Sequence, residues 1–168
     1  KFNQLPGAFI TYGQTENGFF DDYTLGQFHF HSKSEHTVDG SQAPLEAHFV
    51  CRSIWADRYI VISLLFEEGA ENTELAKFVA NLPTSEGVEY SDEDLSYSAF
   101  NLLPANKSYY SYSGSLTTPP CSESVTWIIM ENKVTATAEQ IEAFTTIMGD
   151  NFRPTQETNS RIINHVVL

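Results

Sequence analysis

The run Gln27-Phe28-His29-Phe30-His31 constrains this chain more than any other stretch, because polar and aromatic residues alternate in it with a period of two. That period belongs to a β-strand, on which successive side chains point to opposite faces. Gln27, His29 and His31 therefore share one face, and Phe28 and Phe30 the other. A second alternation follows at Leu45-Glu46-Ala47-His48-Phe49-Val50, where Glu46, His48 and Val50 share a face. The residues between the two runs include the turn formers Asp39, Gly40 and Ser41, so antiparallel pairing is expected. It sets His48 opposite the first two histidines.

Three neutral imidazoles converging on one point form a ligand set for Zn2+, which is usually four-coordinate and is left with one position for water. Water held there ionises near neutral pH. A metal-bound imidazole also needs an acceptor for its second nitrogen, to fix tautomer and ring orientation. Gln27 is expected to orient His29, and Glu46 to orient His48. One histidine in a strand is more often a satisfied, partly buried residue than a ligand. The whole constellation favours an enzyme over a purely structural zinc site, because a structural site would close the fourth position with protein.

These residues resemble the signature of the α-class carbonic anhydrases, and the likeness extends from about Phe9 to Ile163. Ser113-Gly114-Ser115-Leu116-Thr117-Thr118-Pro119-Pro120, followed by Val125-Thr126-Trp127, is similar to the family's substrate-side loop and strand. Asn151-Phe152-Arg153-Pro154, with Asn159 and Arg161, is similar to its C-terminal segment. The short spacing from His31 to Glu35, and Cys121 after Pro120, resemble the bacterial, algal and plant branch.

The resemblance implies that His29, His31 and His48 are zinc ligands and that the backbone carbonyl of Asn151 receives the second nitrogen of His31. Thr117 is implied to donate its proton to Glu35; an acceptor-only carboxylate forces that direction and so orients the attacking oxygen. Val50, Val61, Leu116, Thr118 and Trp127 are implied to line the pocket for carbon dioxide. The implied reaction is the reversible hydration of carbon dioxide to bicarbonate and a proton. A rival reading is a structural or binding subunit of a larger assembly with weak or no catalysis. Retention of all three histidines with Glu35 and Thr117 favours the enzyme.

Family members run longer at the N-terminus, so a second polypeptide or an N-terminal segment is expected to complete the domain. Aligned on Gly7-Ala8-Phe9-Ile10, the proton-ferrying position of fast members falls on Gly7 and a pocket asparagine on Ile10, and neither side chain can relay a proton. His36 is expected to be a hydrogen-bonded structural residue rather than a shuttle, and His165 a solvated surface residue. In the secreted branch a cysteine at the Cys121 position pairs with one in the N-terminal region. No Cys51–Cys121 bridge is therefore expected, a disulfide through Cys121 would reach the completing segment, and an extracytoplasmic location is implied.

At 168 residues the chain fits one domain, and 41% hydrophobic with 13% aromatic content supplies a core. Lys+Arg 9 against Asp+Glu 22 gives a net charge of −13, which argues against nucleic acid or an anionic membrane surface as partner. No apolar run approaches bilayer-spanning length, and a soluble body is expected. Strands are expected at Phe9–Tyr12, Tyr23–His31, Leu45–Arg52, Tyr59–Phe66, Tyr109–Ser113 and Val125–Glu131. Helices are expected over Asn72–Leu82 and from Thr137 to a stop at Gly149, with a short helical turn at Asp92–Leu95. The expected fold is mainly β: a large twisted, mostly antiparallel central sheet with a few peripheral short helices.

Overall fold

In a computed structural model of the protein, which describes residues 2–3, 9–14, 20–84 and 98–168, one curled sheet organises the chain. Its strands begin with β1 (Phe2–Asn3), β2 (Phe9–Gln14) and β3 (Phe20–Ser32). A small hairpin of β4 (Thr37–Val38) and β5 (Ser41–Gln42) precedes β6 (Leu45–Ser53) and β7 (Tyr59–Glu68). Helix α1 (Thr73–Val79) and a single 3-10 turn (Ala99–Leu102) lead to β8 (Tyr109–Gly114) and β9 (Val125–Met130). The chain closes with β10 (Val134–Ala136), α2 (Ala138–Met148) and β11 (Asn164–Val166). The main path runs β1-β3-β6-β7-β9-β8-β11, with β2 also pairing β3 and β10 also pairing β7.

Most pairings are antiparallel, but β7 runs parallel to both β9 and β10. That central position explains its composition. From Ile60 to Phe66 every residue is buried, and all but Ser63 are apolar, as expected of a strand covered on both faces.

The pairing of β3 with β6 is the expected antiparallel one, but it contains a register shift between Leu25 and Gln27. Gly26 is the extra residue of a bulge, which reverses the phase of the strand. Before it Tyr23 and Leu25 point into the main core; after it Phe28 and Phe30 do, while Gln27, His29 and His31 take the opposite face.

The main core therefore sits on one side of the sheet. Phe28 stacks on Phe49 at 5.7 Å between ring centroids and meets Phe78 of α1 edge-on at 5.0 Å. Phe30 meets Phe144 of α2 at 4.3 Å. Asn72 caps α1 by accepting the Leu75 N–H, and Thr137 with Gln140 forms a capping box on α2. Gln140 also accepts the Asn72 N–H (2.9 Å) and donates to its carbonyl (2.8 Å), fastening the two helices together.

Helix α1 is shorter than its apolar spacing suggests. Asn81 and Leu82 already bond to Phe78 and Val79 in i, i+3 fashion, and Pro83 disfavours a further helical turn before it. Helix α2 stops at Gly149 as expected, and so delivers Asn151 to the end of β3. The expected turn at Asp92–Leu95 and the shuttle position Gly7 lie outside the described residues. The sequence does not reveal β1, β4, β5, β10, β11 or the 3-10 turn.

Candidate metal centre

On the face of the sheet opposite the main core, the ladder places His29 directly across from His48, and His31 across from Glu46. The three histidine rings converge: centroids are 4.9 Å apart for His29 and His31, 5.3 Å for His29 and His48, and 4.6 Å for His31 and His48. One nitrogen of each lies within 4.8 Å of the other two.

Each ring is oriented through its remaining nitrogen. His29 Nδ1 donates to Gln27 Oε1 (2.9 Å), His31 Nδ1 to the Asn151 carbonyl (3.0 Å), and His48 Nε2 to Glu46 Oε1 (2.6 Å). Carbonyl and carboxylate oxygens only accept, so each of these nitrogens carries the proton and leaves the other with a lone pair. His31 Nε2 is buried with no hydrogen-bond partner. A buried acceptor without a donor costs free energy, and a cation among the three rings would satisfy it. Burial, and then the neighbouring His48, hold the His31 ring below its ordinary value, which favours the neutral form a metal needs.

His36, Glu46 and His48 also bring ligand-type atoms within 4.8 Å of one another. That set is held together by its own hydrogen bonds, and His36 has no lone pair to spare for a cation. His36 Nδ1 donates to Glu46 Oε1 (2.6 Å), so its Nε2 accepts the Tyr112 hydroxyl proton (2.7 Å). Both nitrogens are thus committed, as expected for a structural rather than a proton-carrying histidine.

Glu46 is the hub. Its Oε2 accepts the main-chain N–H groups of Glu35 (2.6 Å) and His36 (3.1 Å), and its Oε1 accepts His36, His48 and the Ser63 hydroxyl (2.5 Å). Burial by itself would raise this carboxyl, yet the His36 and His48 imidazoles hold it well below the usual carboxylate range.

Beside the rings lies a second apolar cluster of Val61, Val125, Trp127 and Ile129, with Val50 and Leu116 packed on it. Val61 pairs with Val50 on one side and Trp127 on the other, and Trp127 meets the His48 ring at 4.8 Å. Four of the five expected pocket residues are therefore brought together next to the histidines. Thr118 is not: it is exposed, in a turn where its carbonyl accepts the Cys121 N–H.

The expected bond from Thr117 to Glu35 is not formed either. Thr117 and Glu35 line the same cleft, of about 880 Å³. Glu35 Oε1 accepts the Arg153 N–H (2.7 Å) instead, and its Oε2 is buried with no hydrogen-bond partner, 3.9 Å from His48 Nδ1. The loop that carries Thr117 closes on itself, through Leu116 N–H to the Ser122 carbonyl and Cys121 N–H to the Thr118 carbonyl.

Ser63 and Tyr112 escaped the sequence reading. Ser63 had a signal, the one polar residue in the buried run from Ile60 to Phe66. Tyr112 had none, because only the pairing of β8 with β9 brings it beside His36. Asn151 does more than its carbonyl: its side chain accepts the Ser32 N–H (2.7 Å) and donates to the Phe30 carbonyl (3.0 Å), gripping β3 on both sides of His31. His165 is partly exposed, stacks on Tyr110 at 4.6 Å and pairs with Glu131 at 3.2 Å.

Comparison with known proteins agrees with this geometry. Residues 7–167 match the family model of eukaryotic-type carbonic anhydrases. A carbonic anhydrase of Pectobacterium carotovorum is 46% identical over 148 residues, 86% of this chain and 59% of that protein. One from Nostoc sp. is 37% identical over 163 residues, 97% of this chain and 59% of that protein. Among solved structures, the α-carbonic anhydrase of Thermovibrio ammonificans in complex with the inhibitor sulfanilamide superposes with a TM-score of 0.80 at 41% identity, covering 92% of this chain and 69% of that one. The chain thus spans a little under three-fifths of the length of the curated relatives it matches.

Proposed function

Because the chain belongs to the eukaryotic-type carbonic anhydrase family, we propose that it catalyses the reversible hydration of carbon dioxide to bicarbonate and a proton with a bound Zn2+. The observation that carries this reading is the convergence of three imidazoles whose second nitrogens are each tied to an acceptor. Zn2+ held by His29, His31 and His48 would supply hydroxide near neutral pH by acidifying water, a chemistry for which this family is the usual illustration. Gln27, Glu46 and Asn151 keep the three rings in the neutral tautomer that can bind it.

Val61 and Trp127, with Val50 and Leu116, offer an uncharged linear molecule an apolar wall beside the rings. Thr117 and Glu35 line one cleft without bonding here; a Thr117 hydroxyl that turned its proton to Glu35 Oε2, a buried acceptor with no hydrogen-bond partner, would orient the attacking oxygen. Release of the product proton has no help from His36, whose nitrogens are both engaged. A soluble buffer is one acceptor open to that proton.

The relatives' greater length supports a completing segment, supplied by further chain or by a second polypeptide. Cys121, a partly buried free thiol, stands where the resemblance implies a disulfide to that segment, which supports an extracytoplasmic location.

The test is a stopped-flow assay of carbon dioxide hydration on the zinc-loaded chain, with and without imidazole buffer, beside its His48→Ala variant. Hydration that rises with buffer and vanishes in the variant supports the proposal. Stoichiometric zinc with no hydration at any buffer concentration overturns it and leaves a binding subunit.

A further inference from the structure

Ser63 sits in the middle of β7, fully buried, directly across the ladder from His48. A hydroxyl in such a place is costly unless bonded. Its partner is Glu46 Oε1, at 2.5 Å, the same oxygen that accepts His48 Nε2–H. Position alone does not require it. Glu46 Oε2 is fixed by two main-chain N–H groups, and Oε1 already has the His36 and His48 rings. A carboxylate has about four lone-pair sites, and this one serves five donors. The hydroxyl therefore competes for negative charge on the atom that polarises His48.

We infer that Ser63 is a positioning residue that sets how strongly His48 binds metal, by drawing charge from the Glu46 oxygen that His48 Nε2–H faces. This rests on the zinc reading above. The direction follows from the chemistry of the pair. The more charge Glu46 Oε1 presents to His48 Nε2–H, the more electron density reaches the ligating nitrogen. With the hydroxyl present, His48 is a weaker donor to metal and the ion leaves sooner. Without it, the bond between Glu46 and His48 tightens.

The experiment compares the zinc-loaded, isotope-labelled full chain with its Ser63→Ala and Ser63→Thr variants. The imidazole N–H protons are read by NMR, and zinc release by transfer to a chelator. In S63A the His48 Nε2–H resonance moves downfield. Zinc release slows by roughly three- to tenfold, less than the ten- to hundredfold effect of removing a direct partner of a ligand. S63T, which restores the hydroxyl, returns both toward the parent values. A structural role alone would lower the unfolding midpoint of S63A and leave the resonance in place. That result, or an upfield shift with faster release, overturns the inference.

Should S63A not fold, the parent protein still decides. The Ser63 hydroxyl proton must exchange slowly and show a through-space correlation to His48 Nε2–H; its absence overturns the inference. A parent chain that takes up no zinc overturns the functional proposal and this inference with it. Zinc uptake with an unmoved resonance removes this inference alone.

Discussion

Glu46 is shut away from water, and five donors meet on its two oxygens. Replacing it with glutamine keeps the shape but turns one acceptor into a donor aimed at other donors. Glu46→Gln is expected to cost roughly 3–5 kcal/mol, as for breaking a buried charged pair, and to lose tight zinc. Urea unfolding and metal analysis of the variant check both. The two thiols differ sharply: burial pushes the Cys51 thiol up to about 12, whereas Cys121 is partly exposed. A thiol-alkylating reagent at neutral pH should label one site in the native chain, and Cys121→Ser should abolish that labelling. Tyr112 gives a pH signature. Burial pushes its phenol up to about 12 from 10.0, and burial likewise raises Tyr23 and Tyr109. Between pH 10 and about 12 the unfolded chain loses protons that the folded chain keeps, so stability is fully present below 10 and falls as pH rises through that window. The urea midpoint measured against pH should decline there, and Tyr112→Phe should flatten the slope.

At this scale the sequence was most informative where chemistry is local. Gln27 with His29, and Glu46 with His48, are partners two residues apart on one strand face, so alternation alone exposes them. Asn151 lies 120 residues from His31 and was reached only through resemblance. The same resemblance pairs Thr117 with Glu35, but here Glu35 accepts the Arg153 N–H and not the Thr117 hydroxyl.

Among the elements, β3 carries the most because one strand serves both the core and the three-histidine cluster. Its Gly26 bulge lets Tyr23 and Leu25 join the same core as Phe28 and Phe30. The period of two from Gln27 to His31 puts both histidines on one face, as they stand here, yet the phase change before it is set by pairing with β6. The elements missed in the sequence are short ones: β1, β4, β5, β10 and β11 span two or three residues and the 3-10 turn four, too few to display a period, and each of these strands exists because a neighbouring strand offers its edge. At the end of β8 a close approach fixes residue choice. A Cβ on Gly114 would stand 2.8 Å from Trp127 Cδ1 and 3.0 Å from Tyr112 Cε2. Trp127 cannot yield freely, since its ring NH bonds the Ser115 carbonyl (3.1 Å) and its ring meets His48 edge-to-face at 4.8 Å. Gly114→Ala is therefore expected to shift Trp127 and destabilise the chain by about 1–3 kcal/mol, as overpacking does. Indole fluorescence during urea unfolding reads both effects.

For the molecule as a whole, the sheet separates two tasks. One face is closed by aromatic rings and two helices, and the other gathers imidazoles, a carboxylate hub and a small apolar wall. Strand alternation is what makes this division possible, since each strand contributes to both faces at once. The class of fold was legible from that alternation and from the sparse helical signals. The order of strands was not, because the parallel contacts of β7 with β9 and β10 join segments far apart in the chain. The central claim is that three imidazoles from this one face hold a single metal ion. X-ray absorption at the zinc edge on the metal-loaded chain tests it most directly. The account expects one zinc per chain with three imidazole nitrogens at about 2.0–2.1 Å and one further light atom. Fewer than three imidazoles, a sulfur ligand, or no stoichiometric zinc would contradict it.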